Sequence, residues 1–508
     1  MRKKLVIIAF LLLVITGISS AEFVSPNTGR SWTLDSLVAN SGGAVTFSGG
    51  IYYFVEDSIT IAKSDTLKIL VNATVKFPSL GYLYVKGTLL INPPDSVKFT
   101  AADTTLYYKG ITLDSANASS LRKLIFEYAN CINIMDCSPL IDYCNIRNNL
   151  YYAAGMKRGA ISLFRSNTTI SNSKISRSVN AAIVGGANIP NSPIIINNIL
   201  FDNNTANYNT SQINLGSGAP QTLIIRGNQI LRSSTNSGAI AFLPTGGVPS
   251  MIIENNIIKN NRYGIALLAG GIYAYINNNI IDSNNTQGSP TLGGSGLNFA
   301  GGWTTSSVIC TRNTIRWNLW GVTIQNTAKP NFGNLNSIDT TDIGLNKIYG
   351  NVNNGKVFDL FNNTLASAND TIRAENNFWG TANIDSIDSH IFHQADSTVL
   401  GWVDHLPIRT TTGIVNPVVK VDGYEFLDLY PNPFNPEVTI KFRIKNDGYT
   451  RIRIYDLLGR EVMQIANEYM KAGEYERNWI SKGLASSVYI VRLETSLSSY
   501  SKRIAVVK

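Results

Sequence analysis

The amino-acid sequence predicts an all-β protein, in which a parallel β-helix, a solenoid of short strands, is followed by a small immunoglobulin-like β-sandwich. Only 15% of the 508 residues are charged and 41 are glycine, a composition typical of turn-rich β structure. Through the middle of the chain, asparagine recurs in a frame of aliphatic residues at a period near one solenoid coil. Near residue 425 this pattern ends, and alternating apolar residues separated by turn signals begin.

The first 21 residues are predicted to be a secretory signal peptide that is cleaved at Ala21. A basic start is followed by an apolar core from Leu5 to Ile18 and then by small residues, which is the pattern of such a signal. The apolar run is short for a membrane span, and no later stretch reaches the roughly 18 uncharged apolar residues that a span needs. We therefore expect an exported protein whose mature form has no transmembrane segment.

The net charge of +9 does not indicate a nucleic-acid partner. Residues 22–425 contain 27 basic and 25 acidic residues, and the excess lies in the signal and in the C-terminal region. A nucleic-acid-binding surface would require a basic stripe in the body of the protein. The near balance argues against this class of function.

Residues 22–408 are predicted to form the β-helix. The stretch "SMIIENNIIKNNRYGI" from Ser250 aligns without a gap with "SVICTRNTIRWNLWGV" from Ser307. The repeat position of Asn256 recurs along the chain at intervals of 23 to 34 residues. Cys144 and Ser173 occupy it in the first two repeats, and asparagine occupies it in all later ones. Equivalent positions stack in a solenoid, so we expect a ladder of mutually hydrogen-bonded amides. Its predicted members are Asn198, Asn228, Asn256, Asn279, Asn313, Asn346 and Asn377.

The order of motifs along these residues resembles the right-handed parallel β-helix proteins that Bacteroidota-like bacteria export. "YLYVKGTLLINPPDSVKFTA" and "YYKGITLD" are similar to the first coils of that family, and "AENNFWGT" with "GWVDHLPI" is similar to its closing coil. The resemblance implies that Phe378 and Trp379 close the end of the solenoid.

Residues 409–424 are predicted to be a linker, and residues 425–508 a separate β-sandwich of about seven strands. The segments "YPNPFNP", "IYDLLGREV" and "AGEYERNW", with a basic last strand, resemble the type A C-terminal sorting domain of the type IX secretion system. Ser487 stands where that family usually has glycine. The resemblance implies that the type IX machinery is a partner and that the protein is secreted or attached to the outer cell surface. The matching residues are Tyr430, Pro431, Asn432, Pro433, Gly459, Gly473, Tyr475 and Lys508.

The repeats do not contain a recognisable catalytic pattern. Glycoside hydrolysis needs two facing carboxylates, and no Asp-Asp pair occurs in the coils. His390, His393 and His405 fall in the closing segment, where we expect edge or linker positions. Cys131, Cys137, Cys144 and Cys310 are expected to be buried, although a disulfide among the first three stays open. We expect no cofactor and no metal site.

The sequence favours a non-catalytic display, adhesion or glycan-binding surface over the alternative, a polysaccharide lyase or glycoside hydrolase. Its candidate glycan-stacking residues are Trp303, Trp317, Trp320 and Tyr263, which fall in neighbouring coils with Trp320 aligned on Tyr263. Facing outward, these rings could stack on sugars. Facing inward, they would only widen the core, and the sequence favours this inward orientation.

Overall fold

The computed structural model divides into two compact units, residues 1–412 and 413–508. The residues that the structure describes are 22–150, 159–186, 189–216, 221–244, 250–287, 293–302, 306–337, 341–365, 371–410, 426–444, 448–456, 460–495 and 499–507. The predicted signal peptide with Ala21, and most of the predicted linker, lie outside them.

The first unit is a parallel β-helix with three long sheets, which we call A, B and C. Along the chain, a coil contributes a strand first to sheet B, then to sheet C and then to sheet A. The described strands of sheet A are Phe23–Val24, Ser58–Ile61, Tyr82–Val85, Tyr108–Asp114, Ala129–Met135, Ile161–Phe164, Ile183–Gly185, Ile213–Leu215, Ile240–Phe242, Ile265–Leu267, Ser295–Phe299, Trp320–Asn326, Leu360–Thr364 and Ile391–Phe392. Those of sheet B are Ser31–Trp32, Thr66–Ile69, Thr88–Ile91, Ser120–Arg122, Leu140–Asp142, Thr169–Ser171, Ile194–Ile196, Leu223–Arg226, Ser250–Glu254, Tyr273–Asn277 and Ser307–Thr311. Those of sheet C are Val45–Ser48, Ile51–Phe54, Ala73–Phe77, Val97–Ala101, Leu124–Glu127, Asn145–Arg147, Lys174–Ser176, Ile199–Asn203, Gln229–Ser233, Ile257–Lys259, Ile280–Asp282, Thr314–Arg316 and Lys347–Tyr349.

The core of the β-helix is a stack of aliphatic side chains from all three sheets. Ile225 pairs with Ile253, and Ile253 with Ile276, and all three side chains are almost fully buried. Parallel strands about 4.8 Å apart bring equivalent residues directly above one another. β-Branched side chains pack well in such stacks, which explains why isoleucine dominates these positions.

The first predicted ladder occupies the turns between sheets B and C, where Asn255 and Asn256 form one such turn. The first residue of the turn takes a left-handed conformation, as at Asn255 (φ 57°), which asparagine tolerates better than most residues. The second points its amide inward: Asn256 Nδ2 donates to Asn279 Oδ1 over 2.9 Å and to the Ile225 carbonyl over 2.9 Å. Asn256 Oδ1 accepts from the backbone and side chain of Asn228. Similar bonds join the seven predicted asparagines in series.

A second series of hydrogen-bonded side chains fills the turns between sheets C and A, and the sequence interpretation missed it. Five of its seven members stand five residues after a member of the first series, as Asn261 does after Asn256. At one coil the side chain of Gln212 takes the place of an asparagine, bonding to Asn203 and Asn261 over 2.9 Å each. The members are Asn203, Gln212, Asn261, Asn284, Asn318, Asn351 and finally Asp359.

Short helices lie near both ends of the described β-helix, Leu34–Asn40 and Ile384–His390. Two-residue strand pairs, Val352–Asn353 with Lys356–Val357 and Ile372–Arg373 with Val403–Asp404, lie in its last coils. Trp379 is buried in this region, with its ring 6.4 Å from that of His405.

All three histidines were expected at edge or linker positions, and His393 directly follows Ile391–Phe392, the last described strand of sheet A, but two of the histidines are buried. His393 and His405 are 2% and 5% exposed. His393 Nδ1 accepts a hydrogen bond from the Val403 amide over 3.1 Å, and burial lowers the pKa of His393. Local sequence did not indicate this, because the strand Val403–Asp404 that covers His393 comes from later in the chain.

The second unit is a β-sandwich of two antiparallel sheets. Its described strands are Phe426–Tyr430, Glu437–Ile444 and Gly473–Ile480 in one sheet, and Glu461–Met470, Gly448–Tyr455, Ser487–Glu494 and Ser499–Val506 in the other. Trp479 is 1% exposed and packs on Phe434 at 4.9 Å between ring centroids. The Asn432 side chain accepts from the Ala505 amide and donates to the Arg503 carbonyl, over 3.0 Å each. It thereby joins the proline-rich segment to the last strand.

All four cysteines lie among the described residues, where they are buried and form no disulfide. Burial raises the pKa of the Cys144 thiol to about 12, so this side chain stays a neutral core group. Among the helices that the structure describes, none is long and apolar enough to cross a membrane.

Candidate binding groove on sheet A

A groove of about 500 Å³ lies on the outer face of sheet A, in the later coils of the β-helix. Three strands form most of its floor: Ser295–Phe299, Trp320–Asn326 and Leu360–Thr364. Alternation along these strands sends Val322 and Ile324 into the core, so that the residues between and beyond them point outward. We call this cavity the sheet A groove.

Two aromatic side chains line the sheet A groove from neighbouring strands. Trp320 is half-buried at the start of its strand, and Phe361 follows on the next strand, where it pairs with Thr323. Phe361 is held in place by Phe392, whose ring is stacked on it at 5.0 Å with an interplanar angle of 5°. A ring fixed in this way offers flat apolar surface at little cost in conformational entropy.

Neutral polar side chains stand beside these rings in register. Asn298 pairs with Thr323, and Gln325 pairs with Asn363. Gln325 Nε2 donates to Asn298 Oδ1 over 3.4 Å, and the Thr323 hydroxyl lies 2.8 Å from that of Ser295. Amides and hydroxyls can each donate and accept, so this row can form hydrogen bonds with a ligand rich in hydroxyl groups.

Arg262 and Tyr263 also line the groove. Arg262 Nη1 donates to Asn209 Oδ1 over 2.8 Å, and its guanidinium lies 5.9 Å from the ring of Tyr263. The Tyr263 hydroxyl is 2.7 Å from that of Ser211, and burial raises the pKa of this tyrosine. The ring rests on Gly238, where an added Cβ would lie 2.1 Å from Cε2 of Tyr263. Glycine at position 238 therefore leaves the room that the ring occupies.

The structure separates the predicted glycan-stacking residues. Trp320 and Tyr263 both line the groove, but Tyr263 precedes the strand Ile265–Leu267, and Ser295–Phe299 lies between that strand and the strand of Trp320. Ser295 is the residue paired with Trp320. Trp303 lies outside the described residues.

The inward orientation that the sequence favoured was wrong for Trp317, which is 51% exposed. This residue occupies a left-handed turn position (φ 56°), which directs its side chain away from the core, and the Arg316 guanidinium covers its ring at 4.0 Å. Trp317 is not among the residues that line the groove.

Sequence interpretation missed Phe361 and the polar row. Phe361 stands in "DLFNNT", which lacks the frame of the first ladder, and its partner Thr323 is 38 positions earlier in the chain. The available signal was the alternation in "WGVTIQN", where Thr323 and Gln325 alternate with the buried Val322 and Ile324.

The charges of the groove differ from those of a hydrolytic site. Its described lining contains Arg262 and no carboxylate. In the whole described part of the chain, no group of three or more His, Cys, Asp or Glu side chains is placed to hold a metal ion.

Comparisons with known proteins agree with the two units. Residues 109–301 match the family model for the right handed beta helix region, and residues 428–507 match that for the secretion system C-terminal sorting domain. Neither a curated protein nor a solved structure gave a match. The chain is thus a right-handed parallel β-helix protein with a C-terminal sorting domain, as the sequence predicted. The sorting domain implies handling by the type IX secretion machinery and indicates a secreted or surface-attached protein.

Proposed function

We propose that this exported β-helix protein is a non-catalytic glycan-binding protein, and that the sheet A groove holds a segment of neutral polysaccharide. The observation that carries the proposal is the combination, in one groove, of two aromatic rings, one of them fixed by stacking, and a row of neutral amide and hydroxyl groups. A sugar ring has an apolar face that can stack on Trp320 or Phe361. Its hydroxyls would bond to Asn298, Thr323 and Gln325.

The same groove is a poor candidate for polysaccharide cleavage. Hydrolysis of a glycosidic bond uses a carboxylic acid and a carboxylate on opposite sides of the bond. Lyase chemistry uses a base near the proton that is removed and a cation near the sugar carboxylate. The described lining offers one guanidinium, that of Arg262, and this group is bonded to Asn209. Binding is the function that these groups support best.

The test is affinity electrophoresis of the purified full chain in gels containing soluble β-glucan, xylan, galactomannan or starch. We expect retardation by at least one polymer, and a loss of about tenfold in affinity in each of the variants Trp320→Ala and Phe361→Ala, since anchoring aromatic groups carry most of such binding energy. Trp317→Ala is the matched control, because this tryptophan is exposed outside the groove. It should bind like the unmodified protein.

Two results would contradict the proposal. One is equal loss of affinity in all three variants, which would place the binding surface elsewhere. The other is shortening of a polymer during incubation, read by size-exclusion chromatography, which would make the protein a polysaccharide-degrading enzyme. A protein that is not retarded by any polymer of the panel would also oppose the proposal.

A further inference from the structure

A second cavity, of about 560 Å³, lies on sheet C in the early coils, and its character differs from that of the sheet A groove. It is lined by successive strands from Ala73–Phe77 to Asn145–Arg147 and by the turn after Lys174–Ser176. Four basic side chains and one carboxylate give this lining a net charge of +3. The charged residues are Lys76, Lys98, Glu127, Arg147 and Arg177. We call this cavity the basic cradle.

Glu127 organises the centre of the basic cradle. Its side chain is 4% exposed, and its carboxylate contacts Lys98 Nζ and Arg147 Nη2 over 2.6 Å each. The side chains of Lys98 and Arg147 are 38% and 40% exposed, so each cation is anchored to the carboxylate and still reaches the solvent. One negative charge thus holds two positive charges in fixed positions, and the three groups together keep a net charge of +1.

Lys76 and Arg177 extend the positive charge on either side. No carboxylate of the described residues lies within ion-pair distance of either group. Lys76 pairs with Thr100, and Arg147 pairs with Ser176, the residue before Arg177. Four strand-to-strand steps separate the strand of Lys76 from the strand that precedes Arg177, a span of roughly 19 Å. This row of cations is much longer than a single small anion.

We propose that the basic cradle binds an acidic polysaccharide through carboxylate or sulfate groups spaced along the polymer. Arginine and lysine anchored by a shared carboxylate are pre-organised to bond to such groups. A single-stranded nucleic acid fits less well, because its binding sites combine positive charge with successive stacking rings. The one aromatic group in the described lining is Tyr128, and its ring is packed edge-on against Tyr107 at 5.8 Å. The inference is independent of the sheet A groove.

The experiment measures binding of the full chain to polygalacturonate, which carries carboxylates, and to dextran sulfate, with unsulfated dextran as the neutral comparison. We expect binding to one or both acidic polymers at low ionic strength, weakened by added salt, and none to dextran. The double variant Lys76→Met with Arg177→Asn removes the two outer charges, and asparagine tolerates the left-handed turn at position 177 (φ 55°). Its affinity should fall about tenfold.

The matched control is the double variant Lys68→Met with Lys109→Met, which removes two positive charges from sheets B and A. Its affinity should stay within about twofold, apart from the long-range effect of net charge. Equal losses in both double variants would mean non-specific attraction and would overturn the assignment. Absence of binding to both acidic polymers, or tighter binding of a single-stranded DNA oligonucleotide, would also overturn it.

Two further measurements separate this inference from the first proposal and from misfolding. Trp320→Ala should bind the acidic polymers as the unmodified protein does, whether or not the sheet A groove binds a neutral glycan. If the double variant fails to fold, Lys76→Met alone should still weaken binding about threefold while Lys68→Met does not. An unchanged affinity in the folded Lys76→Met variant would contradict the proposal.

Discussion

The side-chain amide of Asn351 donates to Oδ1 of Asp359 over 2.8 Å, and its backbone amide donates to the same oxygen over 3.1 Å. Asp359 is the last member of the second series of hydrogen-bonded side chains and is fully buried. In earlier members of the series, the side-chain Nδ2 donates to an acceptor in the next coil, as that of Asn318 does to Asn351. An asparagine at position 359 would need such an acceptor for its own Nδ2. A carboxylate only accepts, and its Oδ2 lies 3.2 Å from His390 Nδ1. This explains aspartate at the end of a row of amides.

Asp359 predicts a pH dependence of stability. Burial is the main cause that raises its pKa above the usual 3.8, so the folded state holds the proton more tightly than the unfolded state. The stability that this group contributes is complete below pH 3.8 and is lost as the pH rises through the raised pKa. In Asp359→Asn no carboxyl group titrates at this position. The unmodified protein should therefore lose stability relative to this variant as the pH rises from 3.8 through the raised pKa of Asp359. Urea unfolding of both proteins at several pH values checks this prediction. A stability difference between them that does not change with pH would contradict it.

The first ladder predicts opposite outcomes for two adjacent asparagines. Asn256→Ala removes the acceptor of both Asn228 donors and leaves buried groups without partners, so we expect a loss of about 3 kcal/mol. Asn255→Gly keeps a residue that adopts the left-handed turn and should change stability by less than about 1 kcal/mol. Denaturant unfolding of both variants gives the comparison. Equal losses would mean that the ladder contributes no more than the turn.

Gly238 predicts an indirect effect on the sheet A groove. The added Cβ in Gly238→Ala would meet the Tyr263 ring at 2.1 Å, so the ring must move and its bond to Ser211 must break. We expect a loss of about 2 kcal/mol in stability together with weaker glycan binding. Gly302→Ala is the control, because nothing lies within 4 Å of the added atom and its φ is not left-handed. A Gly238→Ala protein that binds and unfolds normally would show that the ring position is unimportant.

Glu127 predicts a loss of stability at acidic pH. Burial acts to raise its pKa, but the hydrogen bonds from Lys98 and Arg147 outweigh burial and lower it. The resulting stability is present above the usual pKa of 4.5 and is lost as the pH falls through the lowered value. Glu127→Gln should therefore cost about 2 kcal/mol at neutral pH and less below pH 4.5.

A matched variant for Glu127→Gln is Glu254→Gln, whose carboxylate pairs with Arg226 at a more exposed position. It should cost less than about 1 kcal/mol. Equal costs in the two variants would show that the shared contact of Glu127 with two cations adds nothing.

Asn432 predicts a local effect in the sorting domain. Asn432→Ala removes both side-chain bonds from Asn432 to the last strand, while the backbone bonds of Phe434 to Ala505 and Val507 remain. We expect the domain to lose about 1 to 2 kcal/mol and to be cleaved faster in limited proteolysis of the full chain, while cleavage of the β-helix is unchanged. Tyr430→Ala is a suitable comparison, since that side chain is 77% exposed. It should be cleaved at the unmodified rate.

The sequence predicts the core positions of the coils better than it predicts which residues line the sheet A groove. Ile253 and Ile276 belong to a frame that repeats around every coil, so their burial follows from local pattern. The same kind of pattern also indicates the second series of hydrogen-bonded side chains. Asn261 follows Asn256 after five residues, and Asn284 follows Asn279 at the same interval. Neighbours in the sheet A groove come from coils separated by turns of different length, and Thr323 meets Phe361 only through strand register.

By itself, the sequence determined that this chain is a right-handed β-helix carrying a C-terminal sorting domain, because coil period, aliphatic frame and sorting motif are all properties of contiguous residues. Only the tertiary structure decided which side chains share a surface. Trp317 and Trp320 stand three residues apart, yet a left-handed turn directs the first into solvent and a strand places the second in the groove. The backbone conformation at each position, and the register between coils, set these directions, and neither can be read from the spacing of residue types alone.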